Sequence, residues 1–229
     1  MKFGVVVFPG SNCDMDIIYV LENMINVSVA KLWHKDTDLK SSDVIILPGG
    51  FSYGDYLRSG AIAKFSPIMS QVIGFANSGG IVIGICNGFQ ILCECGLLPG
   101  ALLHNTNHKF ICKNVYLKIV SKQTLLTNGC SNSPIKIPIA HGEGRYFADK
   151  KTLNSLKKND QIVFKYCDEF GSFNTKSNPN GSTSSIAGIC NIDRNVFGMM
   201  PHPERASDKE LKNISGKILF ENILSNQLV

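Results

Sequence analysis

The sequence predicts an α/β fold: a doubly wound, mostly parallel central sheet with helices on both faces and a nucleophile elbow at the end of one strand. Three observations carry this. Before Pro99 the apolar runs are continuous, as in strands buried on both faces, and they alternate with segments of helical spacing. Each of three such runs ends in a glycine-bearing turn: Pro9-Gly10, Pro48-Gly49-Gly50 and Gly84-Ile85-Cys86-Asn87-Gly88. Open α/β sheets gather their functional groups at those carboxyl ends. Finally, 229 residues at 44% hydrophobic and 18% charged are enough for one well-buried core, so a single domain over 1–229 is expected.

The elements follow in order. Lys2–Phe8 is an apolar strand, and Met15–Asn26 has helical spacing with Asp14 and Asp16 suited to a first turn. Val27–Trp33 and Asp43–Leu47 read as strands, Ala61–Asn77 as a helix, Ile81–Ile85 as a strand and Phe89–Cys95 as a helix stopped by Gly96. Beyond Pro99 the pattern changes. Val115–Val120 alternates as an antiparallel strand does, and Ile135–Ala140, Gln161–Tyr166, Ser185–Ile189 and Val196–Met200 read as further strands. Asn174–Ser184 is a loop and Leu211–Leu224 a closing helix.

Composition excludes several functions. A formal charge of +5 without a Lys/Arg run longer than two gives no nucleic-acid footprint. No stretch is apolar enough to span a membrane, and the N-terminal run leads into Pro9-Gly-Ser-Asn-Cys-Asp14 rather than a cleavage-like site. The eight cysteines are therefore expected as reduced thiols in a cytoplasmic protein. Cys93-Glu94-Cys95 lacks metal-ligand spacing, and no metal is expected. There is no Gly-x-x-x-x-Gly-Lys loop for a nucleotide.

A buried cysteine is usually a small hydrophobe. Cys86 differs because it stands at a strand–turn–helix junction, flanked by Gly84 and Gly88, which permit the tight turn. The positive end of the following helix favours its thiolate. Far downstream, Met200-Pro-His-Pro-Glu-Arg205 offers His202 as a base and Glu204 as its orienter. In an extended segment residues two apart face one way, so the pair is expected to point together. The oxyanion of an acyl-transfer intermediate needs pre-aimed N–H donors, and the candidates are Asn87 and the Gly49-Gly50 turn. These groups imply attack on a carbonyl carbon, a thioester and hydrolysis, without naming the acyl group.

Gly84-Ile-Cys86-Asn-Gly88-Phe-Gln90 together with Pro201-His202-Pro203-Glu204 resembles the class I glutamine amidotransferases, which hydrolyse glutamine to glutamate and ammonia with a Cys-His-Glu triad. Phe8-Pro-Gly-Ser-Asn-Cys-Asp14, the glycine- and tyrosine-rich stretch Leu47–Ala61 and Ala140-His-Gly-Glu-Gly-Arg145 are similar to the glutaminase subunits of phosphoribosylformylglycinamidine synthases, which act in purine biosynthesis. The likeness runs from Lys2 to Arg205. It implies a class I glutamine amidotransferase-like fold, with Cys86 as nucleophile, His202 as general acid/base and Glu204 as its orienter. It further implies oxyanion N–H groups from Gly50 and Asn87, substrate contacts from Gln90 and from the stretch Asn105–Phe110, and a partner-facing or gating role for Tyr53, Asp55, Arg58, His141, Glu143 and Arg145. His104 and His108 are expected to be solvated. No cofactor is expected on this chain. ATP and Mg belong, by the same resemblance, to a synthetase partner, accompanied by a small accessory subunit. Two other readings compete. One is a different class I glutaminase or a related cysteine peptidase, which lacks the Pro-His-Pro-Glu ending. The other is a non-catalytic module, which has no use for intact Cys86, His202 and Glu204.

Overall fold

The computed structural model describes residues 1–226. Its centre is one nine-stranded sheet built from β1 (Lys2–Val7), β2 (Ser28–Trp33), β3 (Val44–Leu47), β4 (Ile81–Ile85), β6 (Ile111–Ile119), β7 (Ile135–His141), β9 (Ile162–Cys167), β10 (Ile186–Cys190) and β11 (Val196–Met199), in the order β2-β1-β3-β4-β11-β10-β9-β6-β7. The half from β2 to β11 is parallel. From β11 through β10, β9 and β6 to β7 every pairing is antiparallel. The change of apolar pattern after Pro99 marks this division. β3, β4, β10 and β11 are buried over their whole length, which explains their unbroken Val/Ile runs.

The chain leaves β1 toward β2 on one side and β3 on the other, so the strand order reverses between β1 and β3. The crevice there is bridged by Ser11 and Gly50. Helix α1 (Asp14–Tyr19) continues into a wider turn over Val20–Met24 and packs on β1 through Ile17, Ile18 and Leu21. The expected helix over Ala61–Asn77 starts only at Pro67, as α2 (Pro67–Asn77). Ser66 before the proline is extended, because an α conformation there would clash with the ring, and only a short turn, Ala63–Phe65, precedes it. Helix α3 (Asn87–Glu94) begins directly after Cys86.

Two elements were not expected. One is a small ribbon in which β5 (Ala101–Leu103) pairs with β8 (Arg145–Phe147). The other is α4 (Lys150–Lys158), capped by the Asp149 carboxylate, which accepts from the Thr152 N–H at 2.7 Å. The closing helix α5 (Lys217–Asn226) begins six residues later than expected from Leu211. Gly216 is the reason: its N–H donates to the Ala206 carbonyl at 2.6 Å, holding the chain close against Pro203.

Candidate active site

The nucleophile turn is a local consequence of two glycines. Helix α3 starts so close to the sheet that a Cβ on Gly84 would lie 2.6 Å from the Gly88 carbonyl, and one on Gly88 would lie 2.7 Å from the Leu47 carbonyl carbon. Between them Cys86 takes φ 52° and ψ −105°, a conformation L-residues avoid. The Cys86 N–H donates to Met199 O at 2.7 Å and its carbonyl accepts from Gln90 N at 3.2 Å, so both adjoining elements fix the strained residue. Its thiol donates weakly to the Ala140 carbonyl at 3.7 Å.

His202 and Glu204 follow β11, and both are buried. The His202 N–H donates to Pro138 O at 2.8 Å, which anchors the segment to β7. His202 Nδ1 and Glu204 Oε1 lie 2.6 Å apart. The expected reason for their alignment, an extended segment, does not hold. Pro203–Ala206 is a tight 3₁₀ turn that brings Glu204 back to the ring. Burial lowers the His202 pKa, but the Glu204 carboxylate, then the Cys86 and Cys13 thiols, outweigh it and raise it well above the ordinary imidazole value. His202 Nε2 and Glu204 Oε2 are buried without a hydrogen-bond partner. Gly49 sits where the groups converge: a Cβ there would lie 2.6 Å from His202 Cε1, 3.2 Å from Cys13 Sγ and 3.4 Å from Cys86 Cβ.

Cys13 is therefore part of this centre, although it had no role in the sequence reading. Arg205 donates to its sulfur at 3.1 Å and, through Nε, to Asp16 at 3.1 Å. Cys13, His202 and Glu204 have donor atoms within 4.8 Å of one another. Two features work against a metal ion there: the Arg205 cation on the sulfur, and the existing His202–Glu204 bond.

The second wall is the stretch after β3. Gly50 has φ +138°, and a Cβ would lie 2.7 Å from Ser11 Cα and Asn12 N, so only glycine fits. The fully buried Asn87 side chain accepts from the Ser52 N–H at 3.0 Å and from the Ser52 hydroxyl, and donates to Asp55 at 3.2 Å and to Gln90 Oε1 at 2.9 Å. It ties the loop over 51–59 to the helix that carries the nucleophile. Gln90 Nε2 donates to Glu143 O at 2.6 Å, fastening the opposite loop to the same helix. The two loops and Cys86 enclose a cavity of about 220 Å³. A larger groove of about 880 Å³ lies behind the His–Glu pair, but Cys86 does not line it.

A model of the CobB/CobQ-like glutamine amidotransferase domain matches residues 1–223. The phosphoribosylformylglycinamidine synthase subunit PurQ of Synechocystis sp. is 56% identical over 220 residues, covering 96% of this chain and 98% of that protein. The corresponding subunit of Koribacter versatilis is 54% identical over 225 residues, covering 98% and 97%. The chain belongs to the PurQ family of glutamine amidotransferases. In the solved structure of PurLQS from Thermotoga maritima, one chain superposes with a TM-score of 0.86 at 42% identity, covering 99% of this chain and 98% of that one. A putative GMP synthase subunit from Thermoplasma acidophilum shares the fold, with a TM-score of 0.62 at 14% identity.

Within this PurQ-family fold the residues singled out by sequence separate into two groups. Gly50, Asp55, Cys86, Gln90, Phe110, His141 and Glu143 line the cavity. Asn105, Tyr53, Arg58 and Arg145 do not. Asn105 is wholly buried behind the wall: its amide donates to Lys109 O and His141 O, and its oxygen faces His141 Nδ1 and accepts from the Gly144 N–H. The Tyr53 hydroxyl bonds His34 and Ser66, Arg58 pairs with Glu94, and Arg145 donates to His104 O. His104 is not simply solvated; it lines the cavity mouth with Nδ1 3.6 Å from Glu143. Burial, then the neighbouring His202, hold His141 neutral, its pKa pulled down to about 4. No helix among the described residues is long and apolar enough to cross a membrane.

Proposed function

We propose that this single 1–229 domain is the glutaminase subunit of a cytoplasmic phosphoribosylformylglycinamidine synthase. The observation that carries the reading is the strained Cys86, whose turn brings it against the buried His202–Glu204 pair at Gly49. His202, made basic by Glu204, takes the Cys86 proton, and the sulfur attacks the side-chain amide carbon of glutamine. The N–H groups of Asn87 and Gly50 receive the oxyanion, each donor of this kind contributing about 3–4 kcal/mol. The imidazolium returns its proton to the leaving nitrogen, and ammonia departs from a glutamyl thioester. Water, deprotonated by His202, then cleaves the thioester to glutamate and restores the thiol.

The ammonia passes to an ATP- and Mg-dependent synthetase of the PurL kind, which converts formylglycinamide ribonucleotide to formylglycinamidine ribonucleotide, with a small PurS-type chain completing the assembly. The 42% identity to a chain of the Thermotoga maritima PurLQS structure supports this partnership. The test is Cys86→Ser in the assembled complex. Glutamine-driven synthesis is expected to be abolished, while synthesis from added ammonium salt continues. Loss of both activities in a correctly assembled variant would refute the division of labour.

A further inference from the structure

The cavity beside Cys86 carries an unbalanced charge. Asp55 reaches it from the loop after β3 and Glu143 from the loop after β7, and none of the described residues that line it is lysine or arginine. The two carboxylates face each other across a small space, and the Ser59 N–H that follows Asp55 in its loop lies 3.4 Å from Glu143 Oε2. Neither has a full cationic partner. Asp55 accepts from the neutral Asn87 amide at 3.2 Å, and Glu143 has only the exposed His104 ring at 3.6 Å. The third ionisable wall residue, His141, is 3% exposed, keeps a buried Nε2 with no partner, and stays neutral. Burial, with Glu143 adding to it, raises Asp55 to about 6 against the opposing bonds from Ser59 and Asn87. A half-buried pair of acids without a counterion is unfavourable alone and is relieved by a ligand that brings a positive group.

The ligand must also present an amide to the sulfur. Resting on the glutaminase reading above, we infer that Asp55 and Glu143 together receive the α-ammonium group of the substrate, and that this pair selects glutamine over amides that lack an α-amino group. The resemblance assigned both residues to a partner-facing or gating role; their place in the cavity wall gives them a substrate to bind. Asn87 connects the two duties. Its backbone N–H is aimed at the oxyanion while its side chain holds Asp55, so ammonium recognition and the reacting carbonyl are tied to one residue.

The experiment compares ammonia release from glutamine and from glutaramate, which is glutamine without the α-amino group, by the chain assembled with its synthetase. The wild type is expected to prefer glutamine strongly. Asp55→Asn keeps the size and the acceptor for Asn87, and is expected to lower kcat/KM for glutamine by about 30-fold, mainly through KM. Its turnover of glutaramate should stay within about threefold of wild type, which also reports that the site is folded. Glu143→Gln should act in the same direction and less, because Glu143 shares its charge with His104. Equal losses on both amides, or no loss on either, would overturn the inference. So would a wild type that does not distinguish the two amides, with the glutaminase reading left standing. A wild-type complex that hydrolyses neither would overturn that reading too.

Discussion

Glu204 touches no part of the reaction except through His202. With its side chain fully buried and bonded to Nδ1, it fixes the ring and stabilises the imidazolium. Glu204→Gln is therefore expected to be less damaging than His202→Ala. In comparable triads, loss of the base costs on the order of 10⁶-fold in kcat and loss of the orienting carboxylate on the order of 10⁴-fold. Steady-state kinetics of the two folded variants decide it, and a slower Glu204→Gln would reverse the roles. Asp55 carries a different prediction, on stability. Its pKa is about 6 in the folded chain and near 4 when unfolded, so its ionisation opposes folding. That penalty is fully present above pH 6 and fades as pH falls toward 4. Asp55→Asn should thus raise Tm at pH 8 and match the wild type at pH 4, by calorimetry; a gain that persists at pH 4 would assign the effect to packing. The triad was legible because Cys86 sits between glycines after a strand, and His202 and Glu204 sit among prolines. The contacts of Cys13 with Arg205 and of Asn105 with His141 join residues far apart in the chain, and no local pattern records them.

Elements meet most tightly where α3 rests on β3. A Cβ on Gly88 would lie 2.7 Å from the Leu47 carbonyl carbon and 2.8 Å from Leu47 Cβ, so neither strand backbone nor helix backbone has room to yield. Gly88→Ala is expected to destabilise the chain by about 1–3 kcal/mol, read from the denaturant midpoint at unchanged slope. A wild-type midpoint would mean that α3 can slide along the sheet. The strands of the parallel half were readable since burial on both faces demands unbroken apolar residues. α4 was not, because it buries only Leu156 and its lysines hide the periodicity. Its start and end were nonetheless marked: Asp149 caps the first turn, and Lys157 and Lys158 lie in the last, against the negative end of the helix. The β5–β8 ribbon is three residues per strand, too short for alternation to show, yet it carries the 141–145 loop onto the cavity.

At the scale of the whole molecule the site is divided between a fixed part and an adjustable one. Cys86, His202 and Glu204 stand on the sheet and on the turn bound to it. The Gly50 donor and Asp55 belong to a loop in which Tyr53, Gly54, Asp55 and Leu57 all have positive φ. Non-glycine residues held there cost on the order of 1–3 kcal/mol each and persist only where their surroundings impose the conformation. The surroundings on one side are Asn87 and the Arg58–Glu94 pair. On the other side there is solvent, into which Tyr56 and Leu57 project 74% and 89% exposed, with Phe110 at the same rim. A partner that buries these apolar side chains presses on the segment that carries the oxyanion donor. A donor misplaced by about 1 Å costs on the order of a hundredfold in rate. The free chain is accordingly expected to be a weak glutaminase, with assembly raising kcat far more than it lowers KM. Glutaminase kinetics with and without the synthetase settle this: an unchanged kcat would mean that Gly50 is already in place and that the partner exerts no control through the 51–59 loop.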